Sequence, residues 1–175
     1  MRHTYHSEQW LPYSIDLVFA FFANPDNLPR LMPPWQKARI EKAVLTTPQL
    51  QVGSHLEGPV AGLGSRITLS FKPFPYAPMR ILWEAEITEF VWNDHFCDDQ
   101  LRGPFAYWHH CHSLRSETRT NTSGTLLCDE VKYELPLGKI GDLANHLFVT
   151  GQLHSTFAYR HKRTDELLSR QAPRS

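Results

Sequence analysis

The clearest pattern in the chain is an alternation over residues 80–90. Ile81, Trp83, Ala85 and Ile87 alternate with Leu82, Glu84, Glu86 and Thr88, which predicts a half-buried antiparallel strand. The same two-residue period predicts a strand over 3–11 and others over 40–45, 53–57, 65–71, 96–101, 107–115 and 125–135. In the last of these Leu127, Val131, Tyr133 and Leu135 share one face, and Glu130, Lys132 and Glu134 the other. Between 3–11 and 40–45 the period changes. Ser14 stands where an N-cap belongs, Asp16 lies in the first turn, and Ile15, Val18, Phe19 and Phe22 follow at helical spacing, so 15–23 reads as a short helix. Asn24-Pro25-Asp26 stops it and opens a second short helix through Leu31, which Met32-Pro33-Pro34-Trp35 ends, since a residue before proline is pushed out of the α region.

Beyond Leu135-Pro136-Leu137-Gly138 the period becomes helical again, over 141–168. The apolar stripe there is Ile140, Leu143, Ala144, Leu147, Gly151, His154, Phe157, Ala158 and His161. Residues 1–168 are expected to form one domain, with 169–175 a frayed tail. The element order predicts an α+β fold: a curved antiparallel sheet of about seven strands wrapped around a long C-terminal helix, with two short helices after the first strand. A sheet gripping a helix in this way cannot fill its whole concave face with side chains, so an internal space is expected between them.

Composition narrows the function classes. Lys plus Arg and Asp plus Glu number 18 each, so there is no basic field for nucleic acid and no polybasic membrane signal. No apolar run approaches the ~20 residues that cross a bilayer. The three cysteines, 97, 111 and 128, have no CxxC spacing and read as free thiols in a reducing cytoplasm. The expectation is a cytoplasmic protein, a monomer or weak homodimer, that neither binds nucleic acid nor inserts into a membrane. Phosphate-binding glycine loops, a dinucleotide fingerprint, a GxSxG elbow and HExxH are all missing from the sequence, which argues against the common kinase, dehydrogenase and hydrolase classes.

One stretch concentrates candidate chemistry. Asp98-Asp99-Gln100-Leu101-Arg102-Gly103-Pro104-Phe105 leads through a turn into Trp108-His109-His110-Cys111-His112. Strand alternation puts Trp108, His110, His112 and Leu114 on one face, and Tyr107, His109, Cys111 and Ser113 on the other. A hairpin turning at 116–123 and pairing Leu114 with Leu127 sets His112 beside Asp129, His110 beside Val131 and Trp108 beside Tyr133. Phe96, Asp98 and Gln100 can extend that wall from the preceding strand.

These segments, with Val18-Phe19-Ala20-Phe21-Phe22-Ala23-Asn24-Pro25-Asp26-Asn27-Leu28 and Asp129-Glu130-Val131-Lys132-Tyr133-Glu134-Leu135-Pro136-Leu137-Gly138, carry a resemblance. In this order they resemble a bacterial branch of the START-like, or SRPBCC, helix-grip superfamily (polyketide cyclase/dehydrase-like). The resemblance implies a cavity that takes a small hydrophobic or amphipathic molecule. Its walls would come from Phe19, Phe22, Trp35, Trp83, Phe96, Trp108, Tyr133, Leu147, Gly151 and His154, and its polar anchor from Asp98, Gln100, His110, His112 and Asp129.

Three readings of the His cluster compete. It is a satisfied hydrogen-bond network that fixes strand register, or it holds the polar end of an apolar ligand, or it is catalytic. In the catalytic case His112 is a base oriented by Asp129, suited to cyclisation or dehydration of a polyketide-like substrate. His110-x-His112 with a facing carboxylate also has the makings of a three-ligand metal site. The expectation, however, is of no bound metal or cofactor.

Overall fold

The computed structural model describes residues 1–48 and 58–171; the strand expected over 53–57 lies outside them. Among the described residues seven strands form one antiparallel sheet: β1 (His3–Leu11), β2 (Arg39–Val44), β3 (Arg66–Phe71), β4 (Ile81–Val91), β5 (His95–Arg102), β6 (Tyr107–Arg119) and β7 (Thr122–Glu134). Their order across the sheet is β1-β7-β6-β5-β4-β3-β2. Helix α1 (Ile15–Ala23) follows β1, and α2 (Lys139–Ala144) and α3 (Thr150–Gln171) follow β7. This is the expected α+β helix-grip architecture.

Local chemistry sets the elements. Ser14 caps α1 by accepting a hydrogen bond from the Leu17 amide. The second short helix is instead three separate 3-10 turns, Pro25–Asn27, Pro29–Leu31 and Pro34–Gln36. Each opens on a proline, which starts a turn readily but cannot carry the hydrogen bonds of a longer helix. The β6–β7 hairpin is tighter than the 116–123 loop expected. Its strands run on to Arg119 and Thr122, and Thr120 and Asn121 both take positive φ, 47° and 64°, as a two-residue primed turn requires.

The long C-terminal helix is interrupted. A π-helical turn, Asn145–Val149, separates α2 from α3, and helical structure continues to Gln171, past the expected end at 168. The extra residue in that turn rotates everything beyond it relative to what precedes. The inward face of α3 carries Leu153, Phe157, Thr164, Leu167 and Leu168; of these Phe157 belongs to the expected stripe, whereas Gly151, His154 and Ala158 face outward.

The cysteine expectation is also corrected. Cys97 and Cys111 stand directly opposite in the β5–β6 ladder and are joined by a disulfide, leaving Cys128 as the free thiol. No described helix is long and apolar enough to cross a membrane.

Two apolar clusters bracket the space between sheet and helix. One joins Leu11, Phe19, Phe96, Leu114, Leu127, Leu167 and Leu168, where α1 and the end of α3 close the sheet. The other joins Trp108, Val131, Tyr133, Leu153 and Phe157.

Candidate functional site

Between these clusters lies a cavity of about 370 Å³. The sheet supplies most of its apolar wall through Ile67, Leu69, Phe71, Trp83, Ile87, Phe96 and Trp108, while Phe22, Leu31 and Met32 come from the α1 end. From α3 come Gln152, Leu153, Thr156, Phe157 and Arg160. The two tryptophans pack edge-to-face, with ring centroids 4.7 Å apart, an arrangement that suits the quadrupoles of aromatic rings.

One end of the cavity is polar. Asp98, His110 and His112 line it because β5 and β6 register Phe96 with His112 and Asp98 with His110. The β6–β7 ladder pairs Leu114 with Leu127 and His112 with Asp129, so the hairpin register expected from the sequence is the one formed. Asp129 is buried behind the two imidazoles rather than on the cavity surface. Its Oδ1 accepts a hydrogen bond from His110 Nε2 at 3.0 Å. It also lies 2.7 Å from His112 Nδ1, at an angle that leaves that nitrogen without an aligned partner. From the helix side the Arg160 guanidinium donates a long, 3.5 Å hydrogen bond to His112 Nε2 and lies over the rings of Phe22 and Phe157. Arg160 Nε is buried and has no partner among the described residues.

Burial and charge sort the protonation states. Burial, reinforced by the charge of His110, pushes His112 down to about 3 against the pull of Asp129, so its ring is neutral near pH 7. Burial opposes the charge of Asp129, but the nearby His112 and Arg160, with the hydrogen bond from His110, outweigh it and hold the carboxyl well below its usual range. Asp98 differs: burial raises it, against the opposing pull of His110 and Arg160. Its carboxyl stands 3.7 Å from His110 Nδ1, beyond hydrogen-bond reach.

The residues expected at the site divide accordingly. Phe22, Trp83, Phe96, Asp98, Trp108, His110 and His112 line the cavity, with Asp129 supporting the imidazoles from behind. Phe19 is wholly buried in the neighbouring core instead. Trp35 sits in the last 3-10 turn, where its neighbour Gln36 takes the inward position. Gln100 turns onto its own hairpin, donating to the Phe105 carbonyl at 2.8 Å. Tyr133 is buried away from the cavity and donates to Asn145 Oδ1 at 2.8 Å. Leu147 is 59% exposed, Gly151 is exposed, and His154 is exposed beside Tyr5; Ile140 and Leu143, ahead of the π-turn on the same expected stripe, face outward as well. Gln152, Thr156 and Arg160, which the sequence stripe did not mark, line the cavity in their place.

Asp98, His110 and His112 each place one donor atom within 4.8 Å of the other two, the residue set of a two-His, one-carboxylate metal centre. Arg160 sits against one of those imidazoles, and a cation beside a ligand nitrogen works against a second positive charge there.

The sheet, the C-terminal helix and this site together define a helix-grip fold holding an apolar cavity with a polar end. The sequence matches no family model and no curated protein. Solved structures match it along nearly its whole length. TTHA0849 from Thermus thermophilus is 15% identical with a TM-score of 0.64, covering 98% of this chain and 100% of that one. Major latex-like protein 151 from Panax ginseng is 13% identical with a TM-score of 0.63, covering 98% and 99%. Norcoclaurine synthase from Thalictrum flavum, in complex with dopamine and hydroxybenzaldehyde, is 15% identical with a TM-score of 0.61, covering 99% and 90%. At these identities the likeness is one of fold.

Proposed function

We propose that the protein binds a small amphipathic molecule, apolar over most of its length and bearing an anionic or acceptor group at one end. The observation that carries this reading is an apolar cavity ending at Arg160, a cation whose Nε–H is buried and unpartnered among the described residues. A buried donor without an acceptor is costly. A ligand carboxylate or carbonyl oxygen would satisfy that donor, while the aromatic walls take the apolar body. Asp129 stands behind the imidazoles of His110 and His112 and forms no ion pair with Arg160 among the described residues, so Arg160 supplies positive charge that the ligand can use.

The test is titration with 1-anilinonaphthalene-8-sulfonate, an aromatic anion. Trp83 and Trp108 line the cavity, so binding quenches tryptophan emission as the probe brightens. Arg160→Gln, which removes a charged donor, weakens binding by about tenfold or more. Probe binding unaltered in Arg160→Gln, or a probe that leaves tryptophan emission unchanged, would rule the reading out.

One observation favours a catalytic reading: Asp98, raised by burial and facing the cavity, is suited to give a proton to a bound carbonyl. His112 is the weaker candidate for base, being held near 3 with Nε2 turned to Arg160. In that reading Asp98→Asn abolishes turnover of a carbonyl substrate while the cavity still binds the fluorescent probe.

A further inference from the structure

On the face of the sheet opposite the cavity a second cluster stands apart from the binding site. The β5–β6 register sets Cys97 opposite Cys111 and Asp99 opposite His109. His109 Nε2 lies 3.1 Å from Cys111 Sγ, and His109 Nδ1 lies 2.6 Å from Asp99 Oδ1. The two sulfurs and a ring nitrogen of His109 fall within 4.8 Å of one another. Cys97 is 2% exposed, whereas Cys111 is half-buried and borders a surface hollow. A carboxylate therefore orients an imidazole whose far nitrogen meets an accessible sulfur, with a second sulfur in bonding reach. A disulfide serving only as a staple needs neither the imidazole nor the carboxylate.

We propose that Cys111 and Cys97 form a thiol–disulfide redox site in which His109, oriented by Asp99, moves the proton of Cys111. The partner class is a small-molecule disulfide such as oxidised glutathione. In the reduced protein His109 Nε2 takes the Cys111 proton, and the thiolate attacks one sulfur of that disulfide. A mixed disulfide forms on Cys111, and one glutathione thiolate leaves. Cys97, giving up its proton, then attacks Cys111 Sγ, forming the Cys97–Cys111 bond and expelling the second glutathione thiolate. Two protein thiols are oxidised, one glutathione disulfide is reduced to two thiols, and the protons released re-protonate the products. A low-molecular-weight thiol reverses the sequence by attacking the accessible Cys111 sulfur. Cys97 alternates with Phe96 and Asp98, and Cys111 with His110 and His112, so the bond crosses directly behind the polar wall of the cavity.

The experiment reduces the intact protein, removes the reductant, and follows it in glutathione redox buffers by maleimide trapping and mass spectrometry. Oxidation is expected at the 97–111 pair alone, with Cys128 trapped as a thiol in every buffer. In the reduced protein iodoacetamide should label Cys111 about tenfold faster than Cys128. His109→Gln and Asp99→Asn should each slow Cys111 labelling and shift its pH profile, while Cys128 labelling and the circular dichroism stay unchanged. Cys97→Ser should stall at the mixed disulfide on Cys111. The proposal is overturned if the pair stays reduced in oxidised glutathione, if Cys111 is labelled no faster than Cys128, or if His109→Gln leaves the Cys111 rate and pH profile as they were.

Discussion

Within the polar end of the cavity, His112 shows how one residue's surroundings become a property of the whole protein. Its imidazole is held down to about 3, by burial first and then by the charge of His110, against about 6.5 in an unfolded chain. The folded pKa is the lower one, so the stability His112 confers is present above pH 6.5 and drains away as pH falls toward 3, where the unfolded state binds the extra proton. Unfolding free energy measured by denaturant titration should therefore decline across that window, with this one group contributing at most about 1.4 kcal/mol per pH unit. His112→Gln, which cannot take up a proton, should flatten the profile between pH 6.5 and about 4. An unchanged profile would mean that the ring is charged in the folded state. Asp98 carries the opposite sign. Burial raises it, so its ionisation opposes folding as pH rises through the folded value.

At the scale of elements the decisive feature is the face that α3 turns toward the sheet. Leu153, which the sequence stripe did not mark, is buried and faces the cavity, whereas Leu147, which it did mark, is exposed. Leu153→Ala should cost about 2–5 kcal/mol in chemical denaturation, and Leu147→Ala should stay within about 0.5 kcal/mol; equal losses would contradict the observed phase. This marks the limit of what the pattern of residues could convey. Strands β1 and β4 were legible because a half-buried strand must alternate, and the β6–β7 register because Leu114 and Leu127 have one comfortable pairing. Trp83, Phe96, Trp108, His110 and His112 followed from that alternation. Arg160 did not, since a charged side chain facing inward leaves no mark on a hydrophobic period. The disulfide was equally hidden: Cys97 meets Cys111 only through the β5–β6 ladder, which the residue pattern left unregistered.

For the molecule as a whole, the sheet, α1 and α3 border a cavity that packed side chains leave open, and native interiors ordinarily fill such space. An occupant that binds only the folded state adds stability by mass action, about 2.7 kcal/mol at a hundredfold excess over its Kd. For a domain of this size that is a rise in Tm of about 5–10 °C, readable by differential scanning calorimetry with the sulfonate probe. A Tm independent of probe concentration would mean that the probe does not bind the folded state in preference to the unfolded one. The strand order has a bearing on time as well as on shape. Strand β1 pairs with β7, joining His3 to Tyr133 and Leu11 to Thr125, so the first strand of the sheet to leave the ribosome finds its neighbour only after nearly the whole sheet has been made. Closing so long a loop is an entropic cost met before any contact rewards it. Folding of this chain is thus governed by a late docking event, in the slow regime of sheet proteins, and β1 stays an unpaired edge for most of synthesis.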